Sequence, residues 1–257
     1  VKREGEGDAG KILVSLNDQT KKSGFTLLEL LVVIAIISLL LSITLPLLGN
    51  VKERARRLTC QNNIRMFVTT IHVYGNEHNY HLPTGFSDFN DEDNTISLSS
   101  DTLAALVHLT GNEGVFVCPW LGGPFKGSRV WHYENYGKVI GYNYLGGHRE
   151  TPWPLTGPAE EHWKSPQLST ESSYLPIVTE FNGWILQEGR TFAPHGLRAS
   201  ITQYAELHAG GMTSKEAGAA GGNIGFLDGA VRWKAIETMK IHRVSLEHPI
   251  EGAYSYW

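Results

Sequence analysis

Glu29 stands at the start of an apolar run, and no further charged residue occurs from Leu30 to Val51. A carboxylate there is costly to hold in hydrocarbon without a partner. The run supplies no cation, so water at an interface or another chain is the expected partner. Other residues invite different chemistry. Eleven histidines and the tract Asp88-Phe89-Asn90-Asp91-Glu92-Asp93-Asn94 suggest a metal. Yet no HExxH, no zinc-ligand spacing and no serine-nucleophile elbow occurs. The acidic tract lacks the register of an EF-hand loop and reads as a solvated loop, with Asp88, Asp91 and Asp93 as its calcium candidates. His195 and His208 form no recognised pair, and Asp228 beside Gly229 suits a hairpin better than an acid catalyst. No catalytic residue is assigned, no cofactor other than that calcium is expected, and the chain is not read as an enzyme.

The elements that position Glu29 follow from hydropathy. From Phe25 the apolar run is long enough, at about 1.5 Å per residue, to cross a hydrocarbon core of about 30 Å. Lys21 and Lys22 precede it and Lys52, Arg54, Arg56 and Arg57 follow, so charge bias leaves orientation open. A cleaved secretory signal is the alternative, but the run exceeds the usual apolar region of about 7–15 residues and contains Glu29. Pro46 lacks an N–H and predicts either a kink or the end of the span. Helical spacing then continues through Leu58, Asn62, Arg65 and Met66, with Ile64, Phe67, Val68 and Ile71 as an apolar stripe toward Tyr74. The basic cluster from Lys52 to Arg57 reads as a contact for lipid headgroups or acidic neighbours, or as a solvated face.

The rest of the chain has globular composition. With 41% hydrophobic and 19% charged residues it can bury a core, and a net charge of −4 argues against a dedicated nucleic-acid binder. Strand candidates are Val115 to Val117, Val139 to Tyr144, Leu175 to Thr179, and the pair Ile224 to Leu227 and Ala230 to Trp233. The last pair brackets Asp228-Gly229 as a two-residue hairpin turn. Seven tryptophans read either as core or as exposed rings that stack on sugars or on other subunits.

The segment Lys21-Lys22-Ser23-Gly24-Phe25-Thr26-Leu27-Leu28-Glu29-Leu30-Leu31-Val32-Val33-Ile34-Ala35-Ile36-Ile37 resembles the class III signal of type IV prepilins and type II secretion pseudopilins. The resemblance implies that a prepilin peptidase cuts between Gly24 and Phe25 and methylates the new amine. It also implies that Glu29 pairs with the N-terminal amine of a neighbouring subunit during assembly, which would offset its burial cost.

A second resemblance covers most of the head. Cys60-Gln61-Asn62-Asn63-Ile64, Phe116-Val117-Cys118-Pro119 and the closing Asn223 to Val231 are similar to a head domain of prepilin-signal proteins in planctomycete- and verrucomicrobial-type bacteria. In that domain a histidine precedes the final Asp-Gly by nine intervening residues. Here the nearest suitable one, His208, lies well upstream of Asp228 and Gly229, and Met212 to Gly222 reads as an insertion. An extracytoplasmic head in an oxidising compartment allows a Cys60–Cys118 disulfide, with two free buried thiols as the alternative.

The expected architecture is α+β and pilin-like: a long N-terminal helix whose first half spans a membrane, packed on a mainly antiparallel β-sheet head with long loops. Residues 1–24 are expected to be a cleaved leader, 25–50 the transmembrane and assembly half of the helix, 51–74 its head-packing half, and 75–257 the extracytoplasmic head. The resemblance implies a subunit of a type II secretion pseudopilus or type IV pilus-like filament, held in the inner membrane with its head outside the cytoplasm. Its implied partners are the prepilin peptidase, other pilin or pseudopilin subunits, the inner-membrane assembly machinery and membrane lipid, and not nucleic acid. The alternative is a membrane-anchored protein whose aromatic-rich head binds a glycan or protein, with a hydrolase behind it.

Overall fold

The structure is a computed structural model that describes residues 24–88, 93–121, 125, 129–133, 137–185, 189–196, 201–204, 212–246 and 252–257. The chain divides into two compact units, one ending at Pro46 and the other covering Leu47–Trp257. Helix α1, Leu27–Glu77, begins in the first and continues in the second. Pro46 therefore does not end the helix.

In the first unit α1 is dominated by Leu, Ile and Val, interrupted by Glu29, Ser38, Ser42, Thr44 and Pro46. Every residue from Gly24 to Leu45 is exposed. The helix is long and apolar enough to cross a membrane.

In the second unit α1 is amphipathic. Cys60, Ile64, Phe67, Val68 and Ile71 recur every third or fourth position and are fully buried, while Leu58 and Met66 on the other face remain exposed. The helix ends where Asn79 and Tyr80 take positive φ and the Tyr80 N–H donates to the Gly75 carbonyl at 2.7 Å. The buried stripe shares one hydrophobic core with residues of three antiparallel sheets seen among the described residues, whose strand order is non-sequential. The strands in chain order are β1 (Ser97–Leu98), β2 (Trp131–Tyr133), β3 (Gly137–Val139), β4 (Tyr142–Tyr144), β5 (Pro176–Glu180), β6 (Asn182–Ile185), β7 (Arg190–Ala193), β8 (Ile201–Tyr204), β9 (Gly221–Phe226), β10 (Val231–Ala235), β11 (Ile241–Arg243) and β12 (Ala253–Tyr256). They form the sheets β1-β3-β2, β10-β9-β5-β4 and β11-β12-β6-β7-β8. A second helix, α2 (Ser100–Thr110), follows β1. The architecture is α+β, one long apolar N-terminal helix followed by antiparallel sheets.

β9 meets α1 closely. A Cβ on Gly225 would lie 2.6 Å from Ile64 Cγ2 and 3.0 Å from Val68 Cγ2, so glycine sets the helix-to-sheet distance.

Three local expectations change. Val115 to Val117 is not a strand: Asn112 caps a one-turn helix, Glu113–Phe116, by accepting the Gly114 N–H at 2.9 Å. Val139 to Tyr144 is not one strand either. It splits at Ile140-Gly141 into β3 and β4, which join different sheets, and a Cβ on Gly141 would sit 2.8 Å from the Cys118 nitrogen. The closing hairpin has a three-residue loop, Leu227 to Gly229, rather than two. Phe226 pairs with Ala230, the Gly229 N–H donates to the Phe226 carbonyl at 2.9 Å, and Gly229 alone of the three has positive φ, 82°. Most of the tryptophans are core. Trp153, Trp163, Trp184 and Trp257 are buried, and Trp120, Trp131 and Trp233 are partly buried.

Candidate functional site

Gly24, Phe25 and Thr26 form a short non-helical lead into α1. Phe25 is 73% exposed, and nothing lies within 4 Å of where a Gly24 side chain would begin. Among the described residues nothing crowds the peptide bond between them. Lys21 and Lys22 lie outside the described residues.

Glu29 has a partner that the sequence reading missed. Thr26 donates to Glu29 Oε2 from its backbone N–H at 2.8 Å and from its hydroxyl at 2.9 Å, and the Glu29 N–H donates back to Thr26 Oγ1 at 3.1 Å. Thr26 is the N-cap and Glu29 the third helical residue, the reciprocal arrangement of a capping box. The expectation that only water or another chain could partner the carboxylate is therefore corrected. The signal was legible as Thr-x-x-Glu ahead of an apolar run, and the membrane reading of Glu29 hid it.

A second constellation lies where α1 meets the head. Cys60 on α1 and Cys118, distant by 58 positions, bring their sulfurs to 2.7 Å as free thiols, both fully buried. His195, just after β7, joins them, the three ligand-type atoms all lying within 4.8 Å of one another. His195 Nδ1 lies 3.0 Å from Glu53 Oε1. Its Nε2 lies 3.3 Å from Glu180 Oε1 at the end of β5, near enough for an ion pair but not aligned as a hydrogen bond. Asn223 on β9 donates from Nδ2 to Glu180 Oε1 at 2.7 Å and to the Arg57 carbonyl at 3.1 Å. Arg57 donates to Glu53 at 3.3 Å and lies 3.9 Å over Trp233, and Arg56 lies 4.5 Å over Trp120. Half of the basic cluster is thus committed to the head rather than to solvent or lipid, while Lys52 and Arg54 stay exposed.

A thiol beside an imidazole flanked by carboxylates is a layout used for nucleophilic cysteines. Burial defeats it here, pushing both the Cys60 and Cys118 thiols above their ordinary range, so the nucleophilic thiolate is scarce. Sequence reading set His195 aside. Backbone pairing explains its placement: Gly196 bridges Ala219 and the Ala220 N–H donates to the His195 carbonyl at 2.7 Å, which fixes it beside the start of β9.

The remaining expected residues go to separate tasks. Asp88 accepts the Ser100 N–H at 2.9 Å and its hydroxyl at 2.6 Å, holding the start of α2. Asp93 is buried against His148, Oδ1 to Nδ1 at 2.5 Å, with His148 Nε2 at 2.8 Å from the Tyr144 carbonyl. Asp88 and Asp93 thus serve different contacts; Asp91 lies outside the described residues. Asp228 accepts the Ala230 N–H at 2.8 Å and shapes the turn with Gly229. His208 lies outside the described residues.

Comparison with known proteins bears on the N-terminal site. Residues 19–45 match the family model of the prokaryotic N-terminal methylation motif. A stretch of 63 residues is 36% identical to the competence protein ComGC of Halalkalibacterium halodurans, covering 24% of this chain and 61% of that relative. The chain thus spans about three fifths of the length of the curated relative it matches. No solved structure matches. The chain carries a prepilin-type N-terminal signal, of the kind found in pilins and pseudopilins.

Proposed function

We propose that the protein is a pilin-like subunit, cut by a prepilin peptidase between Gly24 and Phe25 and assembled through α1 into a pilus-like filament. The observation that carries this reading is the match of residues 19–45 to the methylation motif, at a Gly24–Phe25 bond ahead of a capped apolar helix that is exposed as far as Leu45. Residues 25–50 hold the subunit in the inner membrane before assembly, and lipid or other subunits cover the apolar surface that this chain leaves open. Residues 51–74 carry the head, 75–257, outside the cytoplasm. Glu29 lies one helical turn in from the amine released at Phe25, so it is placed to meet the amine of a neighbouring subunit while its own chain's cap is rebuilt. Within filament classes we favour a type II secretion pseudopilus or a type IV pilus-like fibre, driven by inner-membrane assembly machinery. The subunit is structural, with no catalytic step of its own.

Mass spectrometry of the N-terminus in a host with prepilin peptidase tests this directly. The expected product begins at methylated Phe25, and Gly24→Glu accumulates as uncut precursor. An N-terminus elsewhere, or normal maturation of Gly24→Glu, would overturn the assignment.

A further inference from the structure

Non-covalent contacts crowd the point where α1 leaves its exposed apolar stretch and enters the head. Glu53 reaches His195, Arg56 covers Trp120 and Arg57 covers Trp233. One turn further on, Cys60 touches Cys118, which directly follows the one-turn helix and the short link through Val117. Both sulfurs are sealed from solvent.

We propose that Cys60 and Cys118 are joined as a disulfide in the mature protein, clamping α1 covalently to the head. The proposal rests on the reading above only in placing the head outside the cytoplasm, where such a bond persists. A metal is the competing occupant, since His195 makes a third ligand-type group nearby. The geometry disfavours it. His195 Nδ1 meets Glu53 at 3.0 Å, and Nε2, the one ring nitrogen left to bind a metal, faces the Glu180 carboxylate at 3.3 Å, which a metal would have to displace. The two sulfurs, by contrast, already touch at 2.7 Å.

The step needs an oxidant, a protein disulfide donor of the extracytoplasmic space. One cysteine thiolate attacks the donor's disulfide, forming a mixed disulfide and freeing one donor thiol. The second thiolate attacks the mixed disulfide, forming the Sγ–Sγ bond and freeing the other. The chain gives up two electrons and two protons, and the donor leaves as a dithiol. Because neither sulfur is exposed, the exchange takes place before the head closes over α1, and the finished bond is shielded from small thiols. The clamp suits a filament subunit. Force along the fibre pulls on α1 relative to the head, and a covalent link at Cys60 resists the slip that packing alone permits.

The test uses full-length protein extracted in detergent from the membranes of a host that exports the head. The protein is unfolded without reductant, alkylated with N-ethylmaleimide and digested. The expected result is no label on either cysteine and a linked Cys60–Cys118 peptide, two hydrogens lighter than its reduced parts. Labelling appears only after reductant is added in denaturant. In Cys118→Ser, Cys60 becomes fully labelled. Full labelling of both cysteines in the unreduced wild type would overturn the clamp, as would a stoichiometric metal released as the thiols become reactive. The same digest reports the Phe25 peptide separately: methylated Phe25 with labelled cysteines rejects the clamp alone, and linked cysteines with an uncut leader reject the filament reading alone.

Discussion

Glu53 and His195 lie 142 positions apart in the chain, and their side chains meet at 3.0 Å. The imidazole is fully buried between that carboxylate and Glu180. Burial by itself lowers the affinity of His195 for its proton, but the charge of Glu180 and contacts with Cys60 and Glu180 outweigh it and raise the ring to about 10. The ring is therefore a cation fastening α1 to β5 and to the segment after β7.

This fastening makes stability depend on pH in a defined direction. The folded ring holds its proton to about 10, whereas the unfolded ring releases it near 6.5. The contribution is complete below about pH 6.5 and fades as pH rises toward 10. Thermal melting of detergent-extracted protein between pH 7 and 10 should fall more steeply for wild type than for His195→Gln. At pH 7 the variant should be less stable by about 3 kcal/mol, because it leaves the buried Glu180 carboxylate without a cation, whereas Glu53 keeps Arg56 and Arg57. Parallel melting curves across that range would remove the cation from the account.

The Thr26–Glu29 box separates capping from charge. Thr26→Ala removes the hydroxyl that both donates to and accepts from Glu29. It should cost about 1 kcal/mol at the helix start. Amide exchange at Leu28 to Leu30 in micelles should then speed up about fivefold. Unchanged exchange would mean that the cap holds nothing.

Glu29→Gln keeps an acceptor for Thr26 but loses the charge. The variant should be processed and retained in the membrane while its incorporation into filaments drops, as it should in Glu29→Ala. Normal incorporation of Glu29→Gln would assign the residue to capping alone.

Gly225 sets the distance between β9 and α1. Gly225→Val drives its side chain against Ile64 and Val68 and should destabilise the head by about 2–3 kcal/mol, measured as a lower denaturant midpoint. Pairing the change with Ile64→Ala should recover part of the loss. Additive losses would show that the two sites are not in contact.

Asp93 is expected to act through His148 rather than through calcium. Asp93→Ala leaves the buried ring without its 2.5 Å partner and should cost about 3 kcal/mol. The loss should be the same with calcium added or chelated. A loss present only with calcium would restore the ion-site reading.

Several features were legible because their causes are local. The start of α1, the stripe from Ile64 to Ile71, β5 and the β9–β10 hairpin each follow from a period or a turn that neighbouring residues set. The misreadings were local competitions decided otherwise. Apolar Val115 to Val117 looked like a strand, but Asn112 capped a helical turn instead. Gly141 broke a run of good strand formers because the backbone at Cys118 leaves no room for a side chain there.

The sequence by itself determined the uncharged run from Leu30 to Val51, the Gly24–Phe25 junction and the single carboxylate at Glu29, because each is a property of adjacent residues. The tertiary structure decided which distant groups share a site: Cys60 with Cys118, His195 with Glu53 and Glu180, and Asp93 with His148. The approach of α1 to the head depends on the strand order β10-β9-β5-β4, which puts Gly225 of β9 against Ile64 and Val68, and the other meetings depend on how the loops between strands pack. Neither is a function of spacing along the chain. Packing and register place those side chains, and burial then sets their chemistry, turning thiols that motif reading could rank only as a candidate pair into neighbours sealed from water.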